Sequence, residues 1–163
     1  MSTILNTNGA ELRIPAIESE LGLFHIVTAE WNPDVTHALR DGAVRTLAEG
    51  GVGEGRLRMH SVPGTVELVY AAARLLRQPE TAAVIVIGCV IRGDTPHFDY
   101  VCQQAAVGIA ELNAKGTAPV IFGVLTVNEL QQALDRAGGS LGNKGSEAAV
   151  AAIEMVNFAS RNQ

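Results

Sequence analysis

AVIVIGCV, residues 83–90, is the most apolar stretch of the chain and the one that decides the fold. A short apolar run of this kind indicates a strand that is buried on both faces of a sheet. The segment therefore predicts a central strand. Similar runs predict three more strands, at Leu23–Ala29, Arg56–Val62 and Val120–Leu125.

Helical segments are predicted between these strands. Asn32, Pro33 and Asp34 break the chain and open the first helix, which Gly50–Gly55 closes. The later helices are predicted at Val66–Arg77, Phe98 to about Lys115, Asn128–Ala137, and Lys144 to about Asn162. In the second strand, two sets of residues alternate: Leu57, Met59 and Ser61 against Arg58 and His60.

Strands that alternate with helices imply right-handed crossovers and a parallel sheet covered on both faces. The predicted fold is an α/β three-layer α/β/α sandwich with a four-stranded parallel sheet, flavodoxin-like. Residues 1–20 show no sustained period and are expected to form an extended N-terminal arm. We expect all 163 residues to form one domain.

Composition excludes several classes of function. The net charge is −5 and no Lys/Arg cluster resembles a nucleic-acid footprint, so no nucleic-acid partner is expected. No signal peptide and no apolar stretch of membrane-spanning length is found, and two cysteines fit a reducing compartment. We therefore expect a cytoplasmic protein without a membrane partner. A mean hydropathy of +0.19 indicates either a large core or apolar surface covered by other subunits.

In open α/β sheets, ligands bind beyond the carboxyl ends of the strands, so the residues that follow each strand matter most. Trp31, the only tryptophan, follows the first strand. It is either a packing residue at the rim of the core, the more common role, or a stacking platform for a planar heterocycle. Glu67 opens the helix after the second strand, where the helix dipole favours it and where it could also bind a polyol.

The segment after the third strand, residues 92–100, has the highest density of chemical groups. Gly93 permits close backbone approach, Thr95 supplies a hydroxyl, and His97 can transfer protons near neutral pH. Arg136 and Lys144 flank a glycine-rich loop and could hold a phosphate. The alternative for Arg136 is that it merely caps its helix.

The remaining histidines, the two cysteines and the glycine-rich loops indicate no metal, thiol or nucleotide site. His25, His37 and His60 share no metal-ligand spacing, so they are interpreted as structural or exposed and no metal is expected. Cys89 and Cys102 could both be inert thiols. The glycine-rich loops lack nucleotide-binding spacing, so no nucleotide cofactor is expected.

Five segments, in order, resemble the lumazine synthase family. They are VPGTVE (62–67), VIRGDTPHFDYVC (90–102), PVIFGVLT (119–126), LDRAG (134–138) and GNKG (142–145). The resemblance runs from about Leu23 to Phe158, which is most of the chain.

The resemblance implies an enzyme, a transferase of riboflavin biosynthesis. The family condenses 5-amino-6-(D-ribitylamino)uracil with 3,4-dihydroxy-2-butanone 4-phosphate, releasing phosphate and water without a cofactor. It implies catalytic roles for His97, as proton donor, and Arg136, on the phosphate. The substrate-binding residues that it implies are Trp31, Asn32, Thr65, Val66, Glu67, Cys89, Val90, Ile91, Asp94, Thr95, Phe122 and Lys144.

Two positions depart from the family pattern. Trp31 stands where phenylalanine is common, and Val66 stands where many members carry an aromatic residue or isoleucine. Neither change removes a group that the chemistry needs.

The family also forms pentamers, and some members build decamers or sixty-subunit icosahedral shells. The resemblance therefore implies a homo-oligomer in which Phe122 and Arg136 enter the site of an adjacent subunit. The N-terminal arm is expected to add a strand to a neighbour's sheet. Two alternatives remain: a non-catalytic homologue that binds lumazine or riboflavin or forms a cage, and a flavodoxin-like module for another phosphorylated ligand.

Overall fold

The computed structural model describes residues 10–162, and four of its strands form a parallel sheet. The apolar AVIVIGCV segment pairs with a strand on each side, so it is an inner strand of the sheet, as predicted. The strand that follows the first helix lies at one edge. In chain order the strands are β1 (Leu23–Ala29), β2 (Leu57–Val62), β3 (Thr81–Ile91) and β4 (Val120–Val127), arranged as β2–β1–β3–β4.

Helices cover both faces of the sheet, which confirms the predicted three-layer α/β/α architecture. No helix within residues 10–162 is long and apolar enough to cross a membrane. The α-helices among residues 10–162 are α1 (Pro33–Glu49), α2 (Glu67–Leu75), α3 (His97–Ala114), α4 (Leu130–Arg136) and α5 (Lys144–Arg161).

Two apolar clusters fill the spaces between the layers. On one face, Leu39 of α1 and Ile153 of α5 pack with Ile85 of β3. On the other face, Leu68 of α2 and Ile109 of α3 form a cluster with strand residues of the opposite parity, which include Val86. Burying one such side chain contributes about 1.5–3 kcal/mol, so alternate residues of β3 tie both helical layers to the sheet.

The predicted segments differ from the observed ones mainly at their ends. β3 starts two residues earlier and β4 continues to Val127. α2 stops at Leu75 rather than Arg77, and α4 begins at Leu130 rather than Asn128. The shift at α3 matters for function, because His97 is its first residue and thus lies at the helix N-terminus.

The glycine-rich segment between α4 and α5 is a small hairpin rather than a plain loop. Its strands β5 (Ala137–Gly139) and β6 (Gly142–Asn143) pair antiparallel. Asn143 then caps α5, because its side-chain oxygen accepts from the backbone N–H groups of Gly145 and Ser146.

The alternation in β2 does not separate a buried face from an exposed one. Met59 is 63% exposed, whereas His60, of the other set, is half-buried. The physical reason is that β2 is an edge strand, so helices cover its faces only in part.

Of the predicted N-terminal arm, residues 1–20, the structure describes residues 10–20, which contain no helix. Ile14 and Ile17 pack against this chain's own core, and the Ile17 N–H donates to the carbonyl of Gly50 at 2.8 Å. The guanidinium of Arg56 donates to three backbone carbonyls of residues 19–22. Pairing with a neighbour's sheet therefore stays a prediction for the residues before Ile14, and residues 1–9 lie outside the described ones.

Candidate functional site

A pocket of about 420 Å³ lies at the carboxyl end of the sheet, where the strand-end rule predicts a site. The turns after β1 and β2, the end of β3 and the first turns of α3 form its walls. Its lining residues are Trp31, Asn32, Gly64, Thr65, Val66, Glu67, Cys89, Val90, Ile91, His97 and Val101. Nine of the sequence-predicted site residues thus meet in one cavity.

A wider groove of about 700 Å³ lies along the edge strand β2. Its residues include Met59 and Glu30, and the Glu30 carboxylate accepts from the Ser61 hydroxyl and lies 3.5 Å from His37 Nε2. It contains none of the predicted site residues, so we place the candidate site in the smaller pocket.

Trp31 projects from the end of β1 with 69% of its surface exposed. This exposure contradicts the interpretation as a packing residue of the core rim. The indole lies beside Gly64, where a β-carbon would be only 3.4 Å from the ring. An exposed indole at the mouth of a pocket offers one face to a planar ligand.

The turn after β2 supplies one buried and two more accessible groups. Thr65 is 6% exposed and packs over β3 at Gly88, where an added β-carbon would lie 2.7 Å from the Thr65 hydroxyl oxygen. Val66 is 39% exposed, and Glu67 is the first residue of α2. A carboxylate only accepts hydrogen bonds, so Glu67 can accept from the hydroxyls of a polyol.

The end of β3 forms the floor of the pocket. Cys89 is 5% exposed, and burial raises the pKa of its thiol to about 11. Burial and the Asp99 carboxylate also raise the pKa of the Cys102 thiol. Both thiols are free and remain protonated near neutral pH, which supports their interpretation as inert.

Contacts of Arg92 hold the turn between β3 and α3. Its guanidinium donates to Asn128 Oδ1 at 3.1 Å and to Asp99 Oδ1 at 3.3 Å, and lies 4.1 Å from the ring centre of Phe98. Asp94 and Thr95 are exposed in this turn, next to His97 but outside the pocket lining.

Three predicted site residues lie away from the pocket. Phe122 is 41% exposed on the edge strand β4. Arg136 ends α4 and donates from Nη1 to the carbonyl of Gln132 at 2.9 Å, a contact within its own helix. Lys144 opens α5 and pairs with Glu147 at 2.7 Å. One copy of the chain therefore does not bring these side chains to Trp31 and His97.

The structure adds Gly64 and Val101 to the pocket lining, and Gly88 as a residue beneath it; the sequence identified none of them as site residues. Val101 lines the pocket one turn after His97, and helical spacing from His97 could have indicated it. Gly88 makes room for Thr65, and no local signal reports that contact because the two residues meet only through the sheet.

Among residues 10–162, no group of three or more His, Cys, Asp or Glu side chains is arranged to hold a metal ion. His25 and His60 contact each other instead, with 3.0 Å between His25 Nδ1 and His60 Nε2. This pair lies away from the pocket and is structural.

Comparison with known proteins gives one consistent result. Residues 23–160 match the family model described as 6,7-dimethyl-8-ribityllumazine synthase. Relatives with that name include proteins of Bacteroides fragilis, 52% identical over 83% of this chain and 94% of the relative, and of Porphyromonas gingivalis, 56% identical over 82% and 83%. A relative from Phocaeicola vulgatus is 50% identical over 86% of this chain and 83% of its own length.

Proposed function

Because the chain belongs to the 6,7-dimethyl-8-ribityllumazine synthase family, we propose that its strand-end pocket carries out the reaction of that enzyme. The reaction condenses 5-amino-6-(D-ribitylamino)uracil with 3,4-dihydroxy-2-butanone 4-phosphate and releases inorganic phosphate and water. The observation that carries the proposal is the meeting of Trp31, Glu67 and His97 around one cavity. An aromatic plane, a polyol acceptor and a proton-transfer group are what this condensation requires.

The pyrimidine substrate stacks on Trp31 and runs along the end of β3. Its ribityl hydroxyls donate to the Glu67 carboxylate, and Thr65 and residues 89–91 form the wall against its ring. Val66 is smaller than an aromatic residue and leaves this wall open. The pocket is about 420 Å³, a volume within the range of small-molecule sites.

The phosphate of the second substrate is bound at the turn of Asp94 and Thr95, and Arg136 and Lys144 supply positive charge. Arg136 also stabilises the phosphate as it leaves, whereas His97 transfers protons during imine formation, elimination and ring closure. Much of the rate gain comes from holding the two substrates together. We therefore expect a larger loss of activity from Arg136→Ala than from His97→Ala.

Arg136 and Phe122 reach this pocket from an adjacent copy of the chain. Two observations support a shared site: both side chains lie away from the pocket of their own chain, and Phe122 is 41% exposed on an edge strand. Exposed Phe158 and Leu130 add apolar surface that a neighbour could cover. The assembly that we propose is a homo-pentamer, which can combine further into decamers or an icosahedral shell.

The remaining features of the proposal are simple. The chain works as a single domain, without metal or organic cofactor, on two small molecules and without nucleic acid or membrane. Its two free cysteines, Cys89 and Cys102, fit the reducing cytoplasm.

The first test is the formation of lumazine from the two substrates, followed by absorbance and by release of inorganic phosphate. The wild-type protein should exceed the spontaneous reaction clearly. Arg136→Ala should lose on the order of 100-fold in kcat/KM, because charge-assisted bonds to phosphate are lost. Arg77→Ala, an exposed arginine at the other end of the sheet, is the matched control and should keep full activity.

The shared site has a sharper test in mixed assemblies. Arg136→Ala and His97→Ala subunits, each inactive or weak alone, are co-expressed and purified together. If each site combines His97 of one subunit with Arg136 of its neighbour, about a quarter of the sites in a one-to-one mixture regain both residues. Activity that stays at the level of the separate variants would contradict sharing.

A non-catalytic role is the other outcome of these measurements. Wild-type protein that binds lumazine or riboflavin tightly but does not accelerate the reaction would contradict the enzymatic proposal. The chain would then be a ligand-binding or cage-forming homologue.

A further inference from the structure

Asn32, between Trp31 and α1, has an unusual backbone conformation. Its φ of 59° and ψ of 56° make it the only non-glycine residue with positive φ among residues 10–162. Asparagine tolerates this left-handed region better than most residues. Pro33 follows and disfavours the right-handed helical region at Asn32. The Asn32 carbonyl accepts from the N–H groups of Val35 and Thr36, each at 3.0 Å, which fixes the start of α1.

The side chain of Asn32 does not cap the helix that it precedes. An asparagine in this position commonly accepts from the first helical N–H groups, but Asn32 makes no such bond. Its amide nitrogen instead donates to the carbonyl of Cys89 at 3.0 Å. The side chain therefore connects the turn after β1 to the floor of the pocket.

This bond lies where β1 has already separated from β3. The last paired residues of the two strands are Thr28 and Ile87, and the Cys89 carbonyl lies two residues further along β3. The Asn32 side-chain amide donates to that carbonyl beyond the last backbone pair of β1 and β3, as another backbone N–H of β1 would do. It thus extends the link between the two strands up to the pocket.

The Trp31 side chain has few restraints of its own. The Trp31 backbone N–H makes only a long bond of 3.3 Å to the Pro63 carbonyl, on the β2 side. Its indole is 69% exposed, so packing restrains it little. On the β3 side, the neighbouring Asn32 amide is the contact that joins this turn to the strand end.

We propose that Asn32 is a positioning residue, which holds the Trp31 ring over Cys89–Ile91 so that the pyrimidine stacks in one orientation. The resemblance implied direct substrate binding by Asn32, and here it acts through Trp31 and β3 instead. This inference rests on the proposed function, since it assumes that the pyrimidine lies between these two walls.

The test uses two substitutions that keep the backbone and remove the donor. Asn32→Gly adopts positive φ freely, and Asn32→Asp keeps the size and is favoured at the N-terminus of α1. Neither can donate a side-chain hydrogen bond to Cys89 near neutral pH. Trp31 is the only tryptophan, so intrinsic indole fluorescence reports its environment alone.

The matched control is Asn113→Asp. Asn113 also joins a helix to a strand, because its amide donates to the Val120 carbonyl at 2.9 Å, but at the opposite end of the sheet. This variant should lose some thermal stability and keep the Trp31 fluorescence and the kinetic constants of the wild type.

In both Asn32 variants without ligand, we expect lower fluorescence anisotropy of Trp31 and greater quenching by acrylamide. The KM for the ribitylaminouracil should rise by about five- to ten-fold, the value of one neutral hydrogen bond, and kcat should change by less than about two-fold. Wild-type fluorescence with a raised KM would mean direct substrate contact and would overturn the positioning role. Altered fluorescence with unchanged KM would also overturn it.

The fluorescence readout does not require turnover, so the two proposals can fail separately. If the wild-type protein made no lumazine, the proposed function would fail. A change of Trp31 fluorescence in both variants would then still support the link from Asn32 to Trp31, and wild-type fluorescence in both would refute it.

Discussion

The two ends of the parallel sheet use their polar groups in opposite ways. At the carboxyl end, Trp31 and Glu67 are exposed around the pocket, and His97 lies at its mouth. At the amino end, polar side chains are buried and bonded to the chain itself. His25, for example, is 1% exposed and lies between two hydrogen-bonding partners.

A chain of hydrogen bonds crosses the amino end from α2 to β2. The Thr81 hydroxyl donates to the Leu75 carbonyl at 2.8 Å, so its oxygen can accept from His25 Nε2 at 3.3 Å. His25 Nδ1 is then unprotonated and accepts from His60 Nε2 at 3.0 Å. In this arrangement His25 accepts at Nδ1 and donates from Nε2, so its imidazole is neutral.

The N-terminal arm adds to this end. Asn157 of α5 donates to the Ala16 carbonyl and accepts from the Glu18 N–H, both at 2.9 Å, and Glu18 pairs with Arg161. The comparison teaches that polar groups satisfied within the chain stabilise the fold. At the opposite end, the Glu67 and His97 side chains line the pocket without a hydrogen-bond partner among residues 10–162, so a ligand can use them.

The largest effect is expected from a substitution beneath Thr65, at the carboxyl end of the sheet where the pocket lies. In Gly88→Val the new side chain would collide with the Thr65 hydroxyl, 2.7 Å from the added β-carbon, and with Leu68 at 3.1 Å. We expect loss of most lumazine-forming activity and about 1–3 kcal/mol of stability, measured by steady-state kinetics and urea unfolding. Gly55→Ala, whose β-carbon meets nothing within 4 Å, should change neither. Full activity in Gly88→Val would refute the importance of the Thr65 contact.

A smaller effect, on stability only, is expected from the buried histidines at the amino end of the sheet. Burial lowers the pKa of both His25 and His60 below the ordinary value of 6.5. The charges of His60 and Arg58 lower the pKa of His25 further, and Glu80 partly offsets them. The unfolded chain therefore binds more protons than the folded one as pH falls. Stability should be complete above about pH 6.5 and should decrease as the pH falls towards the lower pKa values of the folded state.

The pH effect is checked by thermal unfolding of the wild type and of His25→Asn across this range. The variant should lose about 1–3 kcal/mol at neutral pH, because it breaks a buried hydrogen-bond chain, and its stability should depend less on pH. His37→Gln, at a half-buried histidine outside this hydrogen-bond chain, is the control and should keep the wild-type profile. An unchanged profile in His25→Asn would show that other groups carry the pH dependence.

The smallest effect is expected from the thiols. With a pKa of about 11, only about one in 10,000 Cys89 side chains is a thiolate at pH 7, and the thiol is 5% exposed. Brief iodoacetamide treatment at neutral pH should therefore leave activity unchanged, with labelling followed by mass spectrometry. Rapid inactivation together with labelling of Cys89 would mean that the pocket opens more than this structure indicates.

Most of the fold could be predicted because its signals are local. The apolar run at 83–90 and the break at Asn32–Pro33 each depend on a few adjacent residues, and both predictions are confirmed. The hairpin of Ala137–Asn143 could not be predicted, because its short strands contain mainly glycine and carry no periodic pattern. The exposure of Met59 could not be predicted either, since an edge strand and an inner strand share the same alternation.

For the site, the sequence by itself determined which chemical groups follow each strand, since parallel strands bring their carboxyl ends to one edge. Only the tertiary structure decided which of those groups meet. The bond from Asn32 to Cys89 joins residues 57 positions apart, and the pair of His25 and His60 joins residues 35 positions apart. These contacts depend on the register between strands and on the packing of helices across the sheet, which no local pattern specifies.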